Sequence, residues 1–446
     1  MANLFNQYHL KPFIIEGLEA MRITDPMPIQ QQVIPAVMRG ESVIGQSQTG
    51  SGKTHAFLVP ILNKIDVDSD NVQAVITAPS RELATQIYQV AVQLAAKQPA
   101  IRIARYVGGT DKQKQMDKLA NQQPHVVIGT PGRIWDLMQS QSLAAYQATT
   151  FVVDEADMTL DMGFLKEVDN IASSFGEDLQ MLVFSATIPQ KLQPFLKKYM
   201  ANPTTFTLKP KAVIADSVAN WLIGVKGQDR NQMLYKVLTM GHPFLALIFA
   251  NTKGSVDDIH KYLTAQGLKV AKLHGGIEPR ERRRVMKAIT GLQYQYVVAT
   301  DLAARGIDID GVSLVVNAEI PSDNEFFIHR VGRTGRKGLP GTAITFYAPG
   351  QEAQIADLEH LGIKFTPKAF KNGEVVDTHD RDRRAKRKPK QEEMSLAIRG
   401  MVKKEQKKKK PGYKKKIKSA IADERRRNTR IKKREELRQE RKAKKQ

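Results

Sequence analysis

The sequence predicts an α/β fold with two tandem parallel-sheet domains, followed by a basic and largely disordered C-terminal tail. Three observations predict this organisation. Short apolar runs alternate with amphipathic segments along most of the 446 residues. The alternation breaks near residues 205–218, at two pairs that contain proline. Beyond residue 370 the apolar content collapses, and lysine and arginine dominate.

The length and composition limit the classes of protein that this chain can be. A chain of 446 residues is too long for one core, and 41% hydrophobic residues suffice for globular domains. No apolar run approaches the roughly 18 residues of a membrane span, and the first residues lack a signal pattern. The absence of cysteine excludes disulfides, thiolate metal sites and cysteine nucleophiles. We therefore expect a cytoplasmic protein without a membrane partner.

The net charge of +23 is concentrated at the C-terminal end. From residue 371 onward there are 31 Lys and Arg against 12 Asp and Glu, a net charge of +19, which leaves +4 for the other 370 residues. A polycation of this size predicts a polyanionic partner, and RNA is the partner that we favour. Disorder is expected of the isolated tail, although residues 419–445 can become helical against an acidic surface. A solvated tail without a specific role is the alternative.

A glycine-rich turn lies between a predicted strand at residues 41–45 and a predicted apolar helix from residue 55. Its members are Ser47, Gln48, Thr49, Gly50, Ser51, Gly52, Lys53 and Thr54. The glycines let successive backbone N–H groups face one anion, and the helix adds its positive end. Lys53 is placed to reach the β- and γ-phosphates of a nucleotide, and the Thr54 hydroxyl to bind Mg²⁺. An ordinary turn is the alternative, but Gly-Lys-Thr between strand and helix is far more specific than Gly-x-Gly.

Polar clusters follow the predicted strands, and in parallel sheets the carboxyl ends of strands form one ligand-binding edge. The groups suited to a sugar-phosphate backbone are Pro79, Arg81, Gly108, Gly109, Thr130, Arg133 and, in the second domain, Thr300. Aromatic residues make up only 7% of the chain, which favours tracking of the backbone over stacking on bases. Gln30, after a proline pair, carries an amide that suits the edge of adenine, although a lone glutamine is more often a surface residue.

Two further clusters supply the chemistry of phosphoryl transfer. Asp154 ends an apolar strand and is placed to hold Mg²⁺, and Glu155 beside it is the candidate to orient or deprotonate water. Residues 329–336 contain three arginines, which Gly332 and Gly335 are expected to let project from one compact turn. A guanidinium pairs with phosphate through two parallel hydrogen bonds. These arginines belong to the second domain, so hydrolysis requires the two domains to close.

With these residues assembled, the sequence resembles the DEAD-box ATP-dependent RNA helicases of superfamily 2 over residues 3–365. The matching motifs are Phe5 with residues 28–30, and residues 47–54, 79–83, 108–109, 130–133, 154–157, 185–187, 247–251, 299–308 and 329–336. The resemblance implies two RecA-like domains, ATP and Mg²⁺ as cofactors, and RNA as partner. It also implies fingers at Arg333 and Arg336, a ribose contact at Asp308, and interdomain coupling by Asp157, Ser185, Thr187 and His329. The implied domains are 1–207 and 219–368, with a linker at 208–218 and a tail at 369–446.

The sequence departs from the family pattern at two places. Ile23 stands where an aromatic residue usually packs on adenine, which predicts weaker nucleotide affinity. Pro279 replaces the glutamine of the usual Gln-x-x-Arg, so that Arg282 alone remains as an RNA contact. The layout is similar to the bacterial cold-shock subgroup of the family. This similarity implies roles in ribosome assembly, RNA turnover and growth in the cold, with ribosomal particles or RNA-decay proteins as further partners.

Two other functions stay open on the sequence. One is a non-enzymatic RNA chaperone or ribosome-assembly scaffold that acts through its basic tail. The other is a DNA translocase, because phosphate contacts alone do not separate RNA from DNA, whereas contacts to the 2′-hydroxyl do. Lysine-rich runs are also typical of nuclear addresses, which would apply only to a eukaryotic source.

Overall fold

Two β-sheets, each with helices around it, organise the chain in the computed structural model. The structure describes residues 3–47, 50–208, 214–215, 217–225, 227–304, 309, 311–336, 339–371, 374–378, 396–408 and 412–443. The chain divides into two compact units, Met1–Thr378 and His379–Gln446. The first unit holds both sheets, and the second holds the helices of the tail.

The first sheet has seven described strands in the order β3-β4-β2-β5-β6-β1-β7, and every neighbouring pair is parallel. The strands are β1 Val43–Gln46, β2 Ala74–Thr77, β3 Ile103–Tyr106, β4 Val126–Gly129, β5 Thr150–Val153, β6 Gln180–Ser185 and β7 Thr204–Thr207. The α-helices are α1 Pro12–Ala20, α2 Pro28–Met38, α3 Lys53–Lys64, α4 Arg81–Leu94, α5 Lys112–Asn121, α6 Pro131–Gln139, α7 Ala156–Asp161, α8 Leu165–Ala172 and α9 Gln193–Tyr199. Short 3₁₀ helices lie at Leu4–Tyr8, Ala145–Gln147 and Gln190–Leu192.

The sheet is covered on both faces, which explains why its central strands are apolar throughout. Successive side chains of a strand point to opposite faces. Thus Val152 packs in one buried cluster, while Phe151 and Val153 pack in the other. The same alternation places Leu182 and Val183 in opposite clusters. Because both faces are filled, the strand ends are the free surface on which a site can form.

The second sheet has eight described strands in the order β10-β11-β9-β12-β13-β8-β14-β15. Its strands are β8 Val218–Gly224, β9 Ala246–Phe249, β10 Val270–Leu273, β11 Tyr296–Ala299, β12 Leu314–Asn317, β13 Gly341–Tyr347, β14 Thr366–Lys371 and β15 Glu374–Asp377. Its helices are α10 Arg230–Met240, α11 Lys253–Ala265, α12 Pro279–Thr290, α13 Asp301–Ala304, α14 Asn324–Val331 and α15 Glu352–His360. All described pairs are parallel except β14 with β15.

The two sheets share one strand order, with β8 in the place of β1 and β12 in the place of β5. The predicted α/β fold with two parallel RecA-like sheets is confirmed. The second sheet extends to Asp377 through the hairpin of β14 and β15, beyond the predicted start of the tail at residue 369. The strand β8 begins at Val218, at the end of the predicted linker. The domain limits remain a prediction.

The second unit contains two helices among its described residues, α16 Leu396–Lys408 and α17 Tyr413–Ala443. The helix α17 contains most of residues 419–445, for which the sequence allowed a helix. In the part of the chain that the structure describes, no helix is both long and apolar enough to cross a membrane.

Candidate functional site

Three neighbouring strands of the first sheet, β5, β6 and β1, end at the predicted phosphate-binding turn and its acidic partners. The turn follows β1 and leads into α3, whose first residue is Lys53. Asp154 and Glu155 follow β5, and Ser185 ends β6. Parallel order therefore brings together groups that are more than 100 residues apart in the chain.

The phosphate-binding turn has the backbone conformation that its glycines were predicted to allow. Gly50 and Gly52 have φ values of 83° and 91°, in the left-handed region that glycine adopts without strain. The hydroxyl groups of Ser47 and Ser51 lie 2.7 Å apart, and the Ser47 N–H donates to the carbonyl oxygen of Ser185 at 3.0 Å. The turn is thus anchored to the end of β6. Gln48 and Thr49 lie outside the described residues.

Lys53 is buried, and carboxylates surround it. Its Nζ lies 3.1 Å from Glu155 Oε1 and donates to the carbonyl oxygen of Ser47 at 3.1 Å. Burial alone would lower the pKa of Lys53, but Glu155, Asp154 and Asp157 outweigh burial and raise it. The lysine is therefore a permanent positive charge at the turn, as a phosphate ligand requires.

The pKa values of two carboxyl groups at this site, Asp154 and Asp157, are shifted in opposite directions. Burial first, and the Glu155 carboxylate second, raise the pKa of Asp154 to about 7, against the opposing charge of Lys53. Burial also acts on Asp157, but the charges of His329 and Lys53 and two backbone N–H bonds lower the pKa of Asp157 overall. Asp157 is thus fixed as an anion, whereas Asp154 near neutral pH is poised to ionise when a cation arrives.

The residues at this edge fit a magnesium ion that is bound together with a nucleotide. Thr54 and Asp154 offer a hydroxyl and a carboxylate, which are the hard oxygen ligands that Mg²⁺ prefers. Among the described residues, no group of three His, Asp or Glu side chains could hold a metal by itself. This agrees with Mg²⁺ chemistry, because the ion usually takes one or two protein ligands and completes its shell with phosphate and water.

The predicted adenine-binding residues are placed unequally. Gln30 is buried; its Oε1 accepts from the Met27 N–H at 2.9 Å, and its Nε2 donates to the Gly52 carbonyl oxygen at 3.1 Å. It therefore links the start of α2 to the phosphate-binding turn. Ile23 is half-buried at the edge of the core. Phe5 is fully buried and packs edge-on against Tyr8, so here it anchors its segment to the core.

The close packing at Gly52 leads to a first prediction. A Cβ at this position would lie 2.5 Å from Gln30 Nε2 and 2.8 Å from Met27 Sδ, and the φ of 91° would be strained as well. We expect Gly52→Ala to destabilise the fold by about 1–3 kcal/mol and to weaken nucleotide binding more than tenfold. Urea unfolding and the binding of a fluorescent ATP analogue measure the two effects.

Gly40 provides the matched control for this substitution. Its φ is 86°, but no atom lies within 4 Å of a Cβ placed there. Gly40→Ala should therefore show a cost of about 1–2 kcal/mol from the backbone alone and unchanged nucleotide affinity. Equal nucleotide affinities for the two variants would contradict the role given to the packing around Gly52.

The other half of the first sheet carries the residues predicted to contact a sugar-phosphate backbone. The neighbouring strands β3, β4 and β2 end at Gly108 with Gly109, at Thr130 with Arg133, and at Pro79 with Arg81, respectively. Thr130 caps α6, and Pro79 is buried. Arg133 donates to Gln115 Oε1 at 2.7 Å and to the Thr110 carbonyl oxygen at 3.3 Å. Its guanidinium thus has partners within its own domain.

The second domain reaches this edge through α12. Arg282 Nε donates to Glu82 Oε1 at 2.5 Å, and Arg282 Nη2 donates to the Ala303 carbonyl oxygen at 3.0 Å. A Cβ on Gly109 would lie 2.8 Å from Pro279 Cβ, which shows how closely the two domains approach. Arg282, predicted as an RNA contact, thus also bridges the domains. Thr300 is buried behind it, at the end of β11.

The predicted coupling residues bridge the domains on the nucleotide side. Asp157 Oδ2 accepts from the N–H groups of Ala186 and Thr187 at 3.1 and 3.0 Å, and Ser185 Oγ accepts from the Asp157 N–H at 3.1 Å. Thr187 Oγ1 donates in turn to Glu325 Oε2 of α14 at 3.0 Å. His329, one turn further along α14, is close enough for its charge to lower the pKa of Asp157.

The three arginines of residues 329–336 do not share one environment. Arg333 is buried, and its Nε donates to the His329 carbonyl oxygen at 3.3 Å. Arg336 is half-exposed, and its Nε donates to the Gly332 carbonyl oxygen at 2.9 Å. Arg330, in contrast to the prediction that all three project from the turn, is 1% exposed. It points into its own domain, where its guanidinium donates hydrogen bonds to several oxygen atoms. Asp308 lies outside the described residues.

The contact between Thr187 and Glu325 predicts a pH dependence. Burial first, and then the carboxylates of Asp323, Asp157 and Asp161, raise the pKa of Glu325, although its hydrogen bond with Thr187 opposes the shift. A carboxyl with a raised pKa stabilises the joined domains below its ordinary pKa, and this contribution is lost as the pH rises through the raised value. We therefore expect Glu325→Gln to strengthen ATP-dependent RNA binding a few-fold at alkaline pH and to flatten the dependence of this binding on pH above the ordinary pKa of a glutamate.

Fluorescence anisotropy with labelled single-stranded RNA and a non-hydrolysable ATP analogue measures this effect. Glu374→Gln removes an exposed carboxylate from β15 and is the control. A Glu325→Gln variant that keeps the full pH dependence would show that other groups cause it.

Two interdomain residues were missed by the sequence analysis, Glu82 and Glu325. Glu82 lies within the cluster at residues 79–83 but was not singled out. Glu325 lies four residues before His329 on one helix, and that spacing puts both side chains on the same face. Helical spacing from His329 was therefore a signal that could have identified Glu325.

Family models of known proteins match a part of each domain. Residues 27–195 match the DEAD/DEAH box helicase family, and residues 229–338 match the helicase conserved C-terminal domain. The two matches cover the phosphate-binding turn, the acidic cluster at residues 154–157 and four of the eight described strands of the second sheet, β9 to β12.

Curated relatives match over nearly their whole length. The chain is 52% identical over 415 residues to the DEAD-box ATP-dependent RNA helicase CshB of Bacillus subtilis (strain 168), covering 93% of this chain and 94% of that protein. It is 50% identical to CshB of Listeria monocytogenes, covering 96% of this chain and 98% of that one. Among solved structures, S. cerevisiae Dbp5 bound to RNA and ADP BeF3 is 30% identical with a TM-score of 0.75, covering 82% of this chain and 96% of that one.

Proposed function

Since the chain belongs to the DEAD-box ATP-dependent RNA helicases, of the CshB type, we propose that it couples RNA binding and ATP hydrolysis to the local opening of short RNA duplexes or the remodelling of RNA–protein particles. It is an ATP-dependent RNA helicase and hence an ATPase. The predicted cold-shock subgroup is confirmed by the relatives.

One observation carries the proposal, namely that the site is divided between two domains. Lys53, Asp154 and Glu155 belong to the first domain, whereas Arg333 and Arg336 belong to the second. The hydrogen bond from Thr187 to Glu325 and the ion pair of Arg282 with Glu82 join the domains on both halves of the sheet edge. Such bridges support a cycle in which hydrolysis depends on domain closure.

The chain's own residues provide the parts that phosphoryl transfer needs. Lys53 would bind the β- and γ-phosphates. Thr54 and Asp154 would hold Mg²⁺, which when bound would supply positive charge to the phosphates. Glu155 orients the attacking water and accepts its proton. Arg333 and Arg336 supply positive charge from the second domain. The second domain, which carries these arginines, is linked to the acidic cluster by Asp157, Thr187 and His329.

RNA is the second ligand in this proposal. Its sugar-phosphate backbone lies along the carboxyl ends of β3, β4 and β2, where Arg81, Gly109 and Thr130 are found, and reaches Thr300 and Arg282 of the second domain. The solved structure of Dbp5 bound to RNA supports RNA as the ligand. Contacts of this kind fix the register and carry little sequence information. The basic tail adds affinity for RNA that depends on salt.

The cellular roles that we propose are ribosome assembly, RNA turnover and growth in the cold, where RNA duplexes persist. Ribosomal particles and RNA-decay proteins are the proposed partners beyond RNA. The similarity to the cold-shock helicases CshB supports this part of the proposal.

The decisive experiment compares ATP hydrolysis in the presence of RNA and DNA strands of equal length and sequence. We expect RNA to stimulate hydrolysis at least tenfold more than DNA. Equal stimulation would favour a DNA translocase. No stimulation by either strand would remove the coupling that the divided site implies.

Removal of residues 379–446 separates the enzyme from a scaffold that acts through its tail. We expect the shortened chain to keep RNA-stimulated hydrolysis and to lose affinity for long RNA at physiological salt. In cells, a Lys53→Ala variant that supports normal growth in the cold would favour the scaffold.

A further inference from the structure

The second sheet contains a counterpart of the ion pair that marks the nucleotide site. Glu155 is the second residue after β5, and Glu319 is the second residue after β12, the strand in the same sheet position. Lys53 and Arg230 are the first residues of the helices that follow β1 and β8. Lys53 Nζ lies 3.1 Å from Glu155 Oε1, and Arg230 Nη1 lies 2.6 Å from Glu319 Oε1.

The counterpart lacks the groups for a nucleotide with its metal. Ala318 stands where the first domain has Asp154, so the carboxylate for Mg²⁺ is missing. The Glu319 carboxylate takes up the local donors itself, accepting from the Asn251 N–H at 2.7 Å and from the Ser255 hydroxyl at 3.1 Å. A pocket of about 300 Å³ remains beside these residues. The donors at this edge are thus satisfied by the chain's own acidic residue.

Arg330, the buried arginine of residues 329–336, is hydrogen-bonded at this edge of the second sheet. Arg330 Nη1 donates to the Glu319 carbonyl oxygen at 2.6 Å, and Nη2 donates to Asn251 Oδ1 at 2.8 Å. Nε and Nη2 also donate to the Asp301 carboxylate at 2.5 and 2.6 Å. A longer bond of 3.5 Å to Asn317 completes five acceptors for the five N–H groups.

This arrangement fixes the helix that carries the second domain's contribution to the site. The acceptors of Arg330 come from the ends of three neighbouring strands, β11, β9 and β12. The guanidinium also lies 5.3 Å from the centre of the Phe249 ring, in a cation–π contact. Arg330 follows His329 directly in α14. Arg333 lies three residues after Arg330, just beyond the end of this helix. A shift of Arg330 therefore moves both of its functional neighbours.

We propose that Glu319 and Asn251 are positioning residues for ATP hydrolysis. Asn251 holds Arg330 directly through Oδ1, and the Glu319 carboxylate holds Asn251 in place by accepting from its N–H. Together they set the place of Arg333 and His329. The edge of the second sheet that corresponds to the nucleotide edge of the first has this role. The proposal rests on the proposed function of residues 329–336. It assigns Glu319 no contact with ATP or RNA.

The test compares Glu319→Gln with the unmodified chain and with Asp377→Asn. The control replaces an exposed carboxylate that forms an ion pair with Lys368 at 2.7 Å in the same sheet. Glu319→Gln should lower the kcat of RNA-stimulated hydrolysis about tenfold, with the KM for ATP changed less than about twofold, because a misplaced group affects the transition state more than substrate binding. Asp377→Asn should leave both constants unchanged.

Hydrogen exchange of residues 324–331 provides a second readout that does not depend on activity. Exchange should be faster in Glu319→Gln than in the unmodified chain or the control. If Glu319→Gln fails to fold, Ser255→Ala, which removes one hydrogen bond to the same carboxylate, should show the same pattern with a smaller change in kcat.

Normal kcat in a folded Glu319→Gln variant would overturn the proposal, and so would a loss of kcat that only follows the folded fraction. Either result would leave the proposed function intact, because the unmodified chain in the same assay reports on RNA-stimulated hydrolysis. Rescue of kcat by Glu319→Asp, which restores the negative charge, would support positioning.

Discussion

Replacement of Glu155 by glutamine should lower RNA-stimulated ATP hydrolysis by about 10²–10⁴-fold, which is the usual contribution of general acid–base catalysis. Glutamine keeps the size of the side chain and its hydrogen-bonding capacity, but it cannot accept a proton from water. ATP binding should persist, because Lys53 stays charged through Asp154 and Asp157. The variant should therefore hold RNA tightly in the presence of ATP without turning over.

The ion pair of Lys53 with Glu155 explains why this loss is specific to the chemical step. A triphosphate competes with Glu155 for the ammonium group of Lys53. In the proposed mechanism, phosphate binding by Lys53 releases the Glu155 carboxylate to act on water. Glu155 also has a left-handed backbone, with φ of 49° and ψ of 58°, so its direction is set by the turn after β5.

The measurement is single-turnover hydrolysis together with the lifetime of the complex with labelled RNA. Glu41→Gln, which changes a half-buried carboxylate of the first domain that pairs with Arg39, is the control. Rapid RNA-stimulated hydrolysis by Glu155→Gln would show that another group activates the water.

Replacement of Arg333 by alanine should lower kcat by about 10³-fold or more, as for other arginine fingers, with ATP affinity nearly unchanged. Arg333 belongs to the second domain, so its charge acts only on the closed state in which the reaction occurs. Arg336→Ala should have the same kind of effect. Arg333→Lys should recover little activity, because an ammonium group lacks the planar pair of donors.

Steady-state hydrolysis at saturating RNA, with ATP affinity measured separately, tests this expectation. Arg39→Ala removes an exposed arginine that pairs with Glu41 at 2.7 Å and serves as the control. A loss of ATP affinity as large as the loss of kcat would mean that Arg333 binds the ground state, and the finger assignment would fail.

The sequence was sufficient for the fold where strands are central and apolar. Runs such as residues 126–129 and 314–317 are buried on both faces, so their composition alone marks them. The strand β7 was missed because its residues alternate between half-buried and exposed at the edge of the sheet. The strand β8 begins within the predicted linker, where nearby prolines suggested a break. Edge strands carry a weaker hydrophobic signal than central ones.

For the site, the sequence predicted positions better than partners. The clusters at the ends of β1, β5 and β6 were identified because the parallel order brings strand ends together. The partner of Arg282 was not, since Glu82 lies 200 residues away in the chain. Arg330 was placed with the projecting arginines because spacing alone does not show which arginine of a turn is buried.

The neighbouring positions of β2 and β5 have a consequence for communication between the two ligands. The predicted RNA half of the first sheet ends at β2, and the nucleotide half begins at β5, about 4.8 Å away. Coupling between the RNA and the nucleotide within this domain can thus pass through one pair of hydrogen-bonded strands, β2 and β5, without movement at a hinge. Large movements are then required only between the two domains. The surface between the domains is therefore the natural place for an inhibitor to bind and block these movements.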